Sequence, residues 1–179
     1  LRKASLGIRD ALHTPDILAT VEVEKLSVLQ DIAAKVNADA VAAGQSDPQY
    51  VAFLEEGNDI GGIDVGFLAK TAAVGSGLAR VEIKSVEQVG KDALWVQPGG
   101  GSAILNDRPP LVLDAVVHYD DGRTFPITVI AVHQRSLNGV DTNDADGERV
   151  RLKRLRQAEF LAEYIQQRQA ADPDRRIVA

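Results

Sequence analysis

Glu22 and His133 are the two residues whose types and positions best suit chemistry on a phosphate. Each follows an apolar, β-branched run typical of a buried strand, residues 16–21 for Glu22 and 127–132 for His133. Layered folds place binding and catalytic groups at such strand ends. A carboxylate is a ligand for hard divalent cations, and an imidazole can assist proton transfer at a phosphate. The alternative is structural, with a solvent-exposed acid near the next helix and a histidine bonded to the backbone.

Other polar residues are weaker candidates. Arg108, which precedes two prolines, could clamp a phosphate with its guanidinium, or it could pair with Asp107 or Asp114 on the surface. Arg135 and Asn138 lie in the polar loop after His133 and are candidates by position alone. The remaining two histidines, His13 and His118, are interpreted as structural.

The hydrophobic pattern predicts strands and helices in alternation, which indicates an α/β protein. Strands are predicted at 16–24, 50–55 and 63–69, a hairpin at 111–132, a last strand from 175, and helices at 25–43 and 148–170. The strands 50–55 and 63–69 are expected to pair antiparallel, and Gly122 marks the turn of the hairpin. In a regular strand, period-two geometry places Glu22 and Glu24 on one face.

The predicted helix over 148–170 has an apolar stripe and a charged face. The stripe, which we expect to face the core, contains Leu152, Leu155, Ala158, Leu161, Ala162 and Ile165. Arg149, Lys153, Arg156 and Glu163 lie on the opposite face, where a solvated surface is the usual outcome.

Composition limits the range of functions. The 179 residues are 45% hydrophobic, which suits one domain over 1–179, and no apolar run approaches the roughly 20 residues that span a bilayer. Cysteine is absent, so thiolate metal sites and disulfides are excluded. A formal charge of −6 argues against binding nucleic acid by bulk electrostatics, although a bound cation could supply local positive charge.

Four motifs together resemble the endonuclease/exonuclease/phosphatase superfamily, in its bacterial nuclease-like branch. They are Asp16-Ile-Leu-Ala-Thr-Val-Glu22-Val-Glu24, Gly62-Ile-Asp64-Val-Gly-Phe-Leu, Asp107-Arg108-Pro-Pro-Leu, and Val129-Ile-Ala-Val-His133-Gln-Arg-Ser. Their order and rough spacing match the family over essentially the whole chain. Val21 and Val132 depart from it, because the family more often has Gln or Met before the glutamate and Asn before the histidine.

The resemblance implies part of a four-layer α/β sandwich, with two mixed sheets packed face to face and helices outside. It implies a magnesium-dependent phosphodiester hydrolase, with manganese or calcium as alternative metals and nucleic acid as the expected substrate. Glu22 would bind the metal, His133 would lie against the scissile phosphate, and Asp64 would support the histidine as a second catalytic residue. Arg108 would contact a backbone phosphate, with Arg135 and Asn138 as further phosphate-binding candidates. Similar bacterial nucleases are often exported, which favours a secreted or cell-surface location.

Several family motifs are not found in these residues. They are the metal-site Asn of the first strand, the Gly-Asp-Phe-Asn segment and the Ser-Asp-His segment. We therefore expect the 179 residues to be part of a longer product and inactive by themselves, because catalytic groups that act as a unit lose nearly all activity together. We also expect open sheet edges that self-association could cover. The alternative function is a non-catalytic interaction or structural domain of the same fold.

Overall fold

The computed structural model describes residues 1–179, and its helices and mixed sheets make the chain an α/β protein. The helices are α1 (Arg2–Leu6, continued by a π-helical turn at Gly7–Ala11), α2 (Leu26–Ala42) and α3 (Ala145–Ala171). The strands are β1 (Ile17–Val23), β2 (Tyr50–Leu54), β3 (Asp64–Lys70), β4 (Val81–Gln88), β5 (Leu94–Val96), β6 (Ser102–Ile104), β7 (Leu111–His118), β8 (Thr124–Ala131) and β9 (Ile177–Val178).

The strands form two sheets and a small ribbon. The first sheet has the order β1-β3-β2, and both of its pairings are antiparallel. The second has the order β4-β7-β8-β9, in which β9 alone pairs parallel, while β5 and β6 form the ribbon. The predicted pairing of residues 50–55 with 63–69 and the predicted hairpin over 111–132 are both confirmed.

Strand β3 is buried on both of its faces. Val65 and Phe67 belong to a hydrophobic cluster with Leu111 and Leu113 of β7, so one face of the first sheet packs against the second sheet. Leu68, on the other face, packs with α2 in a second cluster. This alternation follows the period of two along a strand. It explains why the whole of β3 is apolar between Asp64 and Lys70.

Helix α3 turns a different face to the protein from the one that its apolar stripe predicts. Val150, Lys153 and Gln157 are buried, whereas Leu155 is 49% exposed. The reason is that α3 packs on polar groups: the Lys153 ammonium lies 2.8 Å from the Asp107 carboxylate, and the Gln157 side chain donates a hydrogen bond to the Leu105 carbonyl. The prediction that Lys153 lies on a solvated face is therefore wrong.

Strand β8 is less completely covered than its apolar sequence predicts. Thr128 and Ile130 are buried, but Ile127 and Val129 are only half-buried. They line a shallow apolar groove with Ile17 and Val178. None of the three helices is both long enough and apolar enough to cross a membrane.

Candidate functional site

Glu22 and His133, which the sequence places 111 positions apart, meet at one end of the two sheets. Glu22 lies near the end of β1, and His133 follows the end of β8. Because β3 and β7 run antiparallel to β1 and β8, their first residues lie at the same end. Glu22 Oε1 is 3.7 Å from His133 Nε2, which is within ion-pair range but longer than a hydrogen bond. The structure thus brings the two principal candidates together.

The backbone at Glu22 departs from a regular strand. Thr20 pairs with Gly66 and Val23 pairs with Asp64, so β1 carries one residue more than β3 over this interval, which is a β-bulge. Glu22 has a φ of 59°, in the left-handed region that residues other than glycine rarely adopt. The bulge breaks the period of two, so the prediction that Glu22 and Glu24 share a face of a regular strand is wrong. Glu24 lies beyond the strand and is exposed.

The His133 imidazole is held in its neutral form by its surroundings. Burial lowers its pKa below the ordinary value of 6.5, the positive charge of Arg108 lowers it further, and the carboxylates of Glu22 and Asp59 oppose the shift. Its Nδ1 atom is buried and has no hydrogen-bond partner. At neutral pH the ring is therefore a proton acceptor beside the exposed Glu22 carboxylate.

Arg108 lies at this end of the sheets, but its guanidinium is already engaged. Its Nε donates to the His133 carbonyl at 3.3 Å, and a terminal nitrogen donates to the Gln134 carbonyl at 3.2 Å. The other terminal nitrogen pairs with Asp59 Oδ2 at 3.3 Å. Neither alternative acidic partner considered for Arg108 is used, because Asp107 pairs with Lys153 and Asp114 pairs with arginines near the C-terminus.

Asp64 is buried at the start of β3, with only 2% of its surface exposed. Its Oδ1 accepts a hydrogen bond from the Gly57 N–H at 2.9 Å. Burial raises the pKa of its carboxyl group, and the Gly57 bond opposes that shift. A Cβ atom at position 57 would lie 2.4 Å from the same oxygen, so glycine is needed for this contact. Asp64 thus anchors the β2 to β3 loop, and its hydrogen bond goes to that loop.

Arg135 and Asn138 are placed farther along the loop that follows His133. The Arg135 main-chain N–H donates to the Gln157 side chain at 2.9 Å, and its carbonyl accepts a hydrogen bond from Arg154. Asn138 is exposed, and its main-chain N–H donates to the Ser136 hydroxyl. No hydrogen bond or ion pair joins either side chain to Glu22 or His133.

Two residues at this site were missed from the sequence. Asp59 pairs with Arg108, and Gln157 in α3 holds the backbone just after His133. Asp59 lies in a loop rich in Gly, Asn and acidic residues. This composition predicts a turn, but it does not predict which residue the Asp59 side chain contacts. Gln157 has no sequence signal, because a polar residue in a charged helix is ordinarily exposed.

Glu22 is the carboxylate of the Glu22 and His133 pair and is available to a divalent cation, because its side chain is largely exposed. No group of three or more His, Asp or Glu side chains is arranged to hold a metal. Magnesium ordinarily keeps several waters and is held by one or two protein carboxylates together with substrate phosphates. Glu22, whose side chain is 66% exposed, fits that kind of site, whereas the buried Asp64 does not.

Comparisons with protein-family models, with curated proteins and with solved structures find no match for this chain.

Proposed function

We propose that this chain provides the metal-binding and phosphate-facing half of a magnesium-dependent phosphodiester hydrolase that acts on nucleic acid. The observation that carries the proposal is the 3.7 Å approach of the Glu22 carboxylate to the His133 imidazole at the end of two packed sheets. The two residues follow strands of different sheets and are far apart in the sequence, so their contact depends on the packing of the two sheets. The resemblance of the four motifs to the endonuclease/exonuclease/phosphatase superfamily supports the same assignment.

The roles follow from exposure and charge. Glu22 is the open carboxylate, and a magnesium ion beside it would supply the positive charge that offsets charge developing on the phosphate. His133 is neutral near pH 7 because its pKa is lowered, so the imidazole would accept a proton from the water that attacks phosphorus. The chain has a net charge of −6, so nucleic-acid binding would depend on the cation.

A non-catalytic interaction domain is the second candidate. It is favoured by the lack of a group of three or more His, Asp or Glu side chains arranged around a metal position and by the apolar groove along β8, where Ile127 and Val129 are only half-buried. A domain of this kind would bind a partner and would need no metal.

The test is a plasmid-nicking assay on the protein expressed from its natural gene, in magnesium and in chelator. Its intact mass is measured on the same sample, because residues 1–179 account for 19.2 kDa. Hydrolase function predicts magnesium-dependent nicking that Glu22→Gln abolishes. The matched control is Glu24→Gln, which removes another exposed carboxylate two positions away and should leave nicking unchanged. Absence of magnesium-dependent nicking would favour the non-catalytic candidate.

A further inference from the structure

The segment 133–135 leaves the sheet, so its backbone needs partners other than a neighbouring strand. Strand β8 ends at Ala131, and polar main-chain groups that lose a ladder must find other hydrogen bonds. Arg108 donates to two successive carbonyls, those of His133 and Gln134. Helix α3 supplies the partners for the next residue, since Gln157 and Arg154 bond the N–H and the carbonyl of Arg135. Side chains from two elements thus replace the missing strand.

The Arg108 guanidinium is fixed on its remaining side by Asp59. The side chains are 11% exposed for Arg108 and 18% exposed for Asp59, so the pair is largely withdrawn from water. One planar guanidinium therefore joins the β2 to β3 loop, through Asp59, to the main chain that carries the imidazole. A lysine could not reproduce this arrangement, because its single ammonium lacks the rigid fork of donors.

We infer that Arg108 is a positioning residue, which fixes the His133 backbone to the Asp59 loop and so holds the imidazole against Glu22. The inference rests on the proposed function only in treating His133 as the reactive group. It assigns Arg108 a different role from phosphate binding. A phosphate would have to displace Asp59, and doing so would weaken the hold on the His133 and Gln134 carbonyls.

The charges around His133 agree with this assignment. The charged groups that face the ring are Arg108 from the segment before β7, Glu22 from β1 and Asp59 from the β2 to β3 loop. Asp59, in direct contact with Arg108, opposes the effect of the positive charge of Arg108 on the ring. Arg108 thus contacts the main chain of His133 while a carboxylate stands beside its own charge.

The inference is tested by NMR of the backbone carbonyl groups that Arg108 contacts. In isotope-labelled protein, the carbonyl carbons of His133 and Gln134 are followed in the wild type, Arg108→Lys and Asp59→Asn. Both variants should move the two carbonyl resonances upfield, because an amine cannot span both oxygens and because Arg108 loses its anchor without Asp59. The matched control is Arg123→Lys, since Arg123 is exposed and its partners, Asp121 and the Tyr119 ring, are close to it in sequence. It should leave both resonances in place.

A second arm tests the competing role with inorganic phosphate. As a positioning residue, Arg108 should show no saturable change of its Nε–H resonance when phosphate is added. A saturable shift, or carbonyl resonances that do not move in Arg108→Lys, would overturn the inference. If the natural protein hydrolyses plasmid, Arg108→Lys should lower kcat about 10- to 100-fold at nearly unchanged KM. A protein that hydrolyses nothing would refute the proposed function, and the carbonyl measurement would still decide the role of Arg108.

Discussion

Glu22 combines a strained backbone with a side chain that does little for folding. Its φ of 59° belongs to a region that costs an L-residue about 1–2 kcal/mol. Its carboxylate makes one ion-pair approach, to His133, and is largely exposed. Residues held in such conformations cluster at functional sites, where the surrounding structure keeps them in place. Backbone and exposure therefore both support the proposal that Glu22 has a functional role.

The strain at Glu22 can be measured by comparing two substitutions. Glu22→Gly removes the Cβ atom that disfavours this backbone, whereas Glu22→Ala keeps it. We expect the glycine variant to have a free energy of unfolding about 1 kcal/mol above that of the alanine variant, measured by urea denaturation. An alanine variant as stable as the glycine variant would show that the bulge is unstrained.

The pKa of the His133 imidazole depends on the burial of the ring and on Glu22. It should lie below 6.5 in the folded protein, and Glu22→Gln should lower it further, because the carboxylate stabilises the imidazolium. Titration of the ring resonances by NMR measures both values, with Glu24→Gln as the control that leaves the pKa unchanged. A pKa that rises in Glu22→Gln would contradict the geometry of the pair.

The sequence predicted the members of this site better than their contacts. Glu22 and His133 could be found because they end apolar runs, and a strand end has a known place in a layered fold. The bulge at Glu22 depends on the pairing of β1 with β3, which a single strand does not reveal. The partner of Arg108 is Asp59, in a loop whose path is set by the Asp64 and Gly57 contact.

Among the elements, β3 depends on a close approach that only glycine permits. A Cβ atom at Gly66 would lie 2.7 Å from Leu29 Cδ2 in α2 and 2.8 Å from the Phe53 carbonyl in β2. The helix and the neighbouring strand therefore pack directly over the backbone of β3. This contact helps to fix α2 against the sheet that bears Glu22 and Asp64 at one end.

Gly66→Ala should overpack this contact. We expect the free energy of unfolding to fall by about 1–3 kcal/mol, because leucine and a backbone carbonyl would both have to move. Thermal or urea denaturation measures the change. The control is Gly99→Ala, where a Cβ atom would meet nothing within 4 Å, and it should change stability little. Equal stability of the two variants would refute the close packing.

Periodicity was a good guide to which elements exist and a poor guide to how α3 faces the protein. Helix α2 follows its apolar spacing, with Leu29, Ala33 and Val36 buried. Helix α3 instead buries Lys153 and Gln157, because the surface beneath it presents Asp107 and a free carbonyl. A hydrophobic pattern cannot report a helix that is seated by ion pairs and hydrogen bonds.

For the molecule as a whole, Asp114 is a junction between distant parts of the chain. It lies on β7 and accepts hydrogen bonds from Arg168 in α3, from Arg175 near the C-terminus and from Thr128 in β8. Burial raises its pKa, but the Arg168 and Thr128 hydrogen bonds and the charge of Arg175 outweigh burial and hold the pKa below 3.8. The Asp114 carboxylate therefore stabilises the folded protein most when it is ionised.

Asp114→Asn should lower the free energy of unfolding at pH 7 by about 1–3 kcal/mol, because two arginines lose their anion. The folded-state pKa is depressed, so this stability is present above the ordinary pKa of 3.8 and is lost as the pH falls through the folded value. The difference between the wild type and Asp114→Asn should therefore shrink below pH 4. Asp121→Asn, at an exposed local pair with Arg123, is the control and should change stability little.

At this scale the α/β class was predicted correctly, because alternating strand and helix patterns leave few other architectures. The four-layer sandwich stays a prediction, as do the metal and the substrate. A site for a metal or a substrate is built from residues that are far apart in the sequence, such as Glu22 and His133. Local sequence patterns do not show which of these residues meet in the folded chain.

A magnesium titration of isotope-labelled protein, followed by NMR, shows whether Glu22 and His133 form a metal-dependent site. If Glu22 binds the metal, saturable shifts should be confined to the amides around Glu22 and His133, retained in Glu24→Gln and lost in Glu22→Gln. Shifts spread over the acidic surface, or shifts around Glu22 and His133 that persist unchanged in Glu22→Gln, would contradict metal binding by Glu22.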